Sequence, residues 1–175
     1  MNKVLENILA RRSCRAFDPD KKVPEELLNE VLTAAINAPT GRNRQQTIFV
    51  AVTDPEKLKW LSAINCRIGG WPHDFDPFYK APAVVIVLGP KSISTTVYDG
   101  ALAMGNMMLA ATSLGLGSCW IHRAKETFEL QEGKDFLKSL GIEGDYEGIG
   151  HCALGYALKE PPAKKILDNR IFFAK

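Results

Sequence analysis

Residues 97–123 run Val-Tyr-Asp-Gly-Ala-Leu-Ala-Met-Gly-Asn-Met-Met-Leu-Ala-Ala-Thr-Ser-Leu-Gly-Leu-Gly-Ser-Cys-Trp-Ile-His-Arg. From Val97 to Leu114 the stretch is apolar most of the way round at helical spacing. It also carries the small residues Gly100, Ala101, Ala103, Gly105, Ala110 and Ala111, which suit a central helix packed closely on several sides. Asp99 and Gly100 at its opening look like a cap. Gly115 and Gly117 let the backbone approach a neighbour closely, and Ser118 to His122 then forms a strand. This order, helix then glycines then strand, is the reverse of a dinucleotide fingerprint, and Trp120 stands where the third glycine would fall.

Working outward, Ala83 to Gly89 (AVVIVLG) is apolar at nearly every position, as in a strand buried on both faces. Residues 65–80, rich in Gly, Pro and aromatics without a period, are expected to form a long surface loop or lid. Trp71, Phe75, Phe78 and Tyr79 could then wall a ligand or simply cover the core. Asp54-Pro55 caps and starts a short helix through Leu58, Leu61 and Ile64, and Thr47 to Thr53 before it is β-prone. Pro24 opens an amphipathic helix with the stripe Leu27, Leu28, Val31, Leu32, Ala35 and Ile36, stopped by Pro39. Residues 3–11 put Val4, Leu5, Ile8 and Leu9 on one helical face. After His122 come a polar helical stretch and a strand from His151 to Tyr156. The tail Ile171-Phe172-Phe173 is too apolar to stay free in water and should lie on a partner subunit. Helices and strands alternate unevenly, without βαβ spacing, so an α+β layered fold is expected.

Composition narrows the function classes. A length of 175 residues implies one domain, 1–175. A net charge of +2 is far from the basic excess of a nucleic-acid binder. The Ala83–Gly89 run is about a third of the roughly 20 residues needed to cross a bilayer, and the start lacks a signal-peptide core. A soluble, cytoplasmic protein is expected. Cys14, Cys66, Cys119 and Cys152 form no CxxC or zinc spacing, so metal and thiol chemistry are set aside.

Two further segments carry chemistry. Arg11-Arg12-Ser13-Cys14-Arg15-Ala16-Phe17 gathers three guanidiniums and a hydroxyl, permanent donors suited to a phosphate or to a solvated basic helix end. Ala38-Pro39-Thr40-Gly41-Arg42-Asn43-Arg44-Gln45-Gln46 offers donors and acceptors to a heterocycle edge, or is an ordinary polar turn.

Taken in order, these segments resemble the nitroreductase family of FMN-dependent oxidoreductases. Arg11, Arg12, Ser13, Arg15 and Phe17 match that family's N-terminal Arg-(Arg/His)-Ser-x-Arg-x-Phe motif in full. Ala38, Pro39, Thr40 (for Ser), Asn43 and Gln45 match its Ala-Pro-Ser motif, with Gln46-Thr47 replacing the usual Pro-Trp. Asn106 to Ser118 follows its Asn-x-x-Leu-x-Ala-x-x-x-Gly-Leu-Gly-Ser helix end, and Leu154-Gly155-Tyr156 its late strand.

The resemblance implies a mainly antiparallel sheet flanked by helices, in a two-fold homodimer with FMN at the subunit interface. Arg11, Arg12, Ser13 and Arg15 would hold the phosphate, ribityl chain and pyrimidine edge. Thr40, Gly41, Asn43 and Gln45 would reach the same flavin from the other subunit, and Trp120, Ile121 and His122 would lie along the isoalloxazine near N5. The basic residue that completes the phosphate site would be Lys164, with Lys165 and Arg170 as rivals. The implied reaction is NADH- or NADPH-driven reduction of a small nitroaromatic or quinone-like acceptor by alternating hydride transfer. The alternatives are dehalogenation or flavin destruction on the same fold, and flavin binding without turnover. The flavin carries the redox chemistry and no protein acid or base is required, so no catalytic residue is named. Of the histidines, His122 is placed beside the flavin, whereas His73 is a solvated loop residue.

Overall fold

A computed structural model describes residues 1–174. Its centre is β2, Ala83–Pro90, which is buried along almost its whole length because it has a partner on each side and a layer on each face. It pairs antiparallel with β1, Ile48–Val52, and with β4, Tyr146–Gly155. β4 in turn pairs antiparallel with β3, Gly117–Ile121, giving the order β1-β2-β4-β3. The alternation of side chains along β2 splits the interior into two cores. Val84, Ile86 and Leu88 pack with Phe17, Leu61, Phe78, Cys119, Ile121 and Phe128. Val85 and Val87 pack with Leu28, Val31, Met104, Met107, Cys152 and Leu154.

The second core is covered by α2, Glu25–Ile36, and α4, Thr96–Ser113. The first is covered by α3, Pro55–Gly69, α5, Ala124–Glu129, and α6, Gln131–Ser139. α1, Lys3–Ala10, lies against α4, where the Asn7 amide donates to the Leu109 carbonyl at 2.9 Å. The layered α+β architecture and the mainly antiparallel sheet are as expected. Among the described residues no helix is long and apolar enough to cross a membrane.

At the end of α4, Gly115 takes φ 74°, and Leu116 N–H reaches back to the Ala111 carbonyl at 2.8 Å. Only a residue free to turn left-handed closes the helix this way, which accounts for the first glycine of the Gly-Leu-Gly run. The second, Gly117, is a close approach: a Cβ there would stand 2.9 Å from Cys14 Cβ. The extended segment 11–17 therefore lies along the free edge of β3 and covers it, with a Ser13–Ser118 bridge and Cys14 N–H on the Ser118 carbonyl at 2.9 Å.

Three expectations need correction. The segment 65–80 is not one long loop. α3 continues to Gly69 with Asn65 and Cys66 buried, and the turn after it is fixed by Asp76. One Asp76 oxygen accepts from Phe78 N–H and the Ser62 hydroxyl, the other from Lys80 N–H. Phe78 is driven into the core. Asp99 is not the cap of α4, because that position belongs to Thr95, and Asp99 lies within the first turn facing inward. Finally, β4 begins at Tyr146 rather than His151. Gly148 and Gly150 lower the strand signal there, yet both are required by close neighbours, Ala124 and Trp120.

The apolar tail does not settle on its own chain. Ile171, Phe172 and Phe173 are 77–85% exposed, and Val4, Leu5, Ile8 and Leu9 of α1 and Val97, Tyr98 and Leu102 of α4 are exposed as well.

Candidate functional site

The chain leaves α1 at Arg11 and becomes extended, so side chains alternate between two sides. Arg15, Ser13 and Arg11 approach the Cys119 thiol on the neighbouring strand. Burial raises that thiol above its usual range; Arg15, the Ser13 hydroxyl and Arg11 oppose the rise, and the Cys14 thiol adds to it. The thiol stays protonated near neutrality and is packing rather than a nucleophile. Among the described residues no carboxylate pairs with Arg11 or Arg15. Two unpaired guanidiniums flanking a hydroxyl on an accessible edge form a donor set that fits a phosphoryl group.

Arg12 points elsewhere. Its Nη1 donates to the Leu9 and Arg11 carbonyls, closing the C-terminus of α1. Of the phosphate candidates, only Arg12 lines the cleft of about 560 Å³ that also meets Cys14, Thr112, Gly117, Lys159 and Ala163. Lys164 follows Ala163 directly, so the start of the tail runs beside this cleft; Lys164, Lys165 and Arg170 are all exposed.

Trp120 and Ile121 end β3, and His122 follows it. Ile121 is core, Trp120 is half-buried with its Nε1 enclosed and without a hydrogen-bond partner among the described residues, and His122 is exposed, edge-on to Trp120 at 6.2 Å. Asn65 Nδ2 donates to the His122 carbonyl at 3.2 Å and pins this strip from below. Arg123, at φ 75°, turns the chain into α5 and lays its guanidinium 4.2 Å from the Trp71 ring. Trp71 is thus the aromatic of the 70–80 turn that approaches this strip. Asn65 gave no sequence signal, because an amide inside an amphipathic helix looks like a surface position.

The remaining candidates form a separate loop. Thr40 Oγ1 accepts from Gln45 N–H at 3.0 Å, Asn43 Oδ1 accepts from Gln45 Nε2 at 2.9 Å, and Gly41 N–H donates to Asp99 at 2.9 Å. Arg42, Asn43 and Gln45 hold φ of 55°, 54° and 52°, and their side chains are exposed.

Within one chain this loop does not meet the arginines. The loop sits at the start of α4 and the Arg11–Arg15 segment beside its end. At about 1.5 Å per residue, the 18 residues of α4 separate them by about 27 Å. They also flank opposite edges of the sheet, β1 and β3, about 14 Å apart at about 4.8 Å per strand.

His151, the remaining histidine, lies outside this region. It is fully buried between Phe78 and Phe128, and burial lowers it to about 4.

The profile of the nitroreductase family matches residues 8–68 and 71–156. A relative from Methanothermobacter thermautotrophicus, provisionally named NADH dehydrogenase/NAD(P)H nitroreductase, is 30% identical over 179 residues, covering 98% of this chain and 87% of its own. A nitroreductase from Bacteroides fragilis, crystallised with bound FMN, superimposes with a TM-score of 0.92 at 34% identity, covering 100% of both chains. One from Desulfitobacterium hafniense, also with bound FMN, gives 0.88 at 27% identity and covers 100% of both. With its layered antiparallel fold and its paired motifs in register, this chain belongs to the nitroreductase family.

Proposed function

We propose that the protein is an FMN-dependent oxidoreductase of the cytoplasm, taking electrons from NADH or NADPH and delivering them to nitroaromatic or quinone-like acceptors. The observation that carries this is the accessible Arg11–Ser13–Arg15 donor set, without carboxylate partners among the described residues, on the segment that covers the β3 edge, in a chain of this family. Bound FMN would supply the redox chemistry, hydride transfer between a nicotinamide and an acceptor that take turns at the site.

The chain's own residues bind and orient. Arg11 and Arg15 neutralise phosphate and the electron-rich pyrimidine edge, with Ser13 on the ribityl chain and Lys164 as an added point charge. Arg12, its guanidinium engaged with α1, would contribute through its backbone. Trp120 and His122 would back the flavin ring, and Ile121, whose side chain is in the core, would contribute through its backbone. One sheet shared by both cores supports reading residues 1–175 as a single flavin-binding domain.

Thr40, Gly41, Asn43 and Gln45 are supplied by a second copy of the chain. The 27 Å separation along α4 supports this, because a two-fold partner running antiparallel brings the start of one α4 to the end of the other. The exposed apolar residues of α1, α4 and the tail are the surfaces such a homodimer would cover.

Two expected results test the reading. Sedimentation of the FMN-loaded protein should give twice the monomer mass; a stable loaded monomer contradicts the shared site. Mixing an Arg11→Ala, Arg15→Ala chain with an Asn43→Ala, Gln45→Ala chain should restore one intact site per heterodimer, and NADH-dependent turnover of a nitroaromatic with it. Turnover confined to halogenated substrates would instead favour dehalogenation.

A further inference from the structure

We propose that Asp99 is a positioning residue that holds the Thr40–Gln45 loop in its ligand-contacting shape. Among the hydrogen bonds of the described residues, Gly41 N–H to Asp99 Oδ1 at 2.9 Å is the one that ties residues 40–46 to the rest of the molecule; the others stay within the loop. The second carboxylate oxygen accepts from the Thr95 hydroxyl at 3.0 Å, so both oxygens are engaged and the side chain cannot rotate freely.

The loop needs such a tether. Three of its residues sit in the left-handed region, a conformation that persists in non-glycine residues only where the surroundings impose it. Packing supplies little of that constraint. Arg42 to Gln46 are exposed, and beneath the loop lies a cleft of about 190 Å³ lined by Ala38, Thr40, Gln45, Phe49, Asp99 and Ala103.

The platform on the other side is firm. Asp99 is 8% exposed on the first turn of α4, and the Thr96 hydroxyl anchors that turn to the Pro90 carbonyl at the end of β2. The junction is also tight, since a Cβ on Gly41 would stand 2.5 Å from Thr95 Oγ1. A buried carboxylate at this place converts the rigidity of the central helix into a fixed shape for an exposed, strained loop.

The inference rests on the reading that this loop contacts flavin, so its test has one arm without flavin. In flavin-free protein followed by hydrogen exchange and mass spectrometry, Asp99→Ala should raise exchange at residues 41–46 at least tenfold while β2 and the rest of α4 stay protected. In the second arm, FMN titration should show affinity for Asp99→Ala falling tenfold to a hundredfold. Asp99→Asn keeps an oxygen acceptor for Gly41 N–H and should restore both readouts to within a few-fold of wild type. Wild-type exchange at 41–46 in Asp99→Ala, loss of protection spread evenly over the sheet, or an Asn variant as impaired as Ala would each overturn the clamp. If wild-type protein bound no FMN, the functional reading would fail, and the exchange arm alone would decide the role of Asp99.

Discussion

Replacing Arg11 and Arg15 together by alanine is expected to strip the protein of flavin at micromolar concentration. Among the described residues each guanidinium is free of carboxylate partners, so each can give its full charge-assisted hydrogen bonding to a phosphate or to the pyrimidine edge. A hydrogen bond to a charged group contributes about 1.5–3 kcal/mol, so each single variant should lose roughly tenfold to a hundredfold in FMN affinity. The pair should lose the product if the two act independently. Arg12→Ala should lose much less, because its guanidinium is committed to the Leu9 and Arg11 carbonyls and its main effect should be fraying of α1. Lys164→Ala should also cost less, as a flexible point charge on an exposed tail. Fluorescence titration of FMN against the variants measures all of these, and equal losses at Arg11 and Arg12 would argue against the alternation of the 11–15 strand.

Stability should fall steeply as the medium is acidified from pH 6.5 to pH 4, and His151 is the cause. The imidazole is fully buried against Phe78 and Phe128, and among the described residues neither ring nitrogen meets a hydrogen-bond partner. The backbone of His122 and Ile121 lies near enough to oppose the effect of burial, but burial wins and lowers the group from 6.5 to about 4. The unfolded chain therefore takes up a proton in this window that the folded chain refuses. Stability is fully present above pH 6.5, declines through the window, and has lost about 3 kcal/mol from this one group by pH 4, below which its contribution is level. His151→Leu, of similar volume and with no polar atom to strand, should remove the effect. Urea unfolding at pH 7.5 and pH 4.5 should show the gap between variant and wild type widening by about 2 kcal/mol or more toward acid. Parallel curves would mean that His151 finds a partner in solution.

The sequence was most legible where a residue's own neighbours dictate its state. Ala83 to Gly89 is apolar on both faces because its strand is paired and covered on both sides, and that pattern survives without knowledge of the partners. Gly115 ends α4 by a local rule, and Asp54 caps α3 by another, accepting from Lys57 N–H at 2.9 Å.

What stayed hidden depends on distant contacts. Asp76 turns the aromatic 70–80 stretch from a mobile-looking loop into a fixed turn by collecting donors from Ser62, Phe78 and Lys80. Asp99 has the composition of a helix cap, and only the fold brings Gly41 to it from 58 positions away. The candidate site shows the same division. Its two motifs are visible as strings of donors, but their separation along α4 emerges only when the helix is placed between them.

The most direct test of the central claim is one visible spectrum. Protein reconstituted with FMN and freed of excess by gel filtration should be yellow with a full complement of flavin, and under anaerobic NADH or NADPH that absorption should bleach, returning when a quinone is added. Protein that emerges colourless, or that keeps its flavin oxidised under both nicotinamides, would contradict the account.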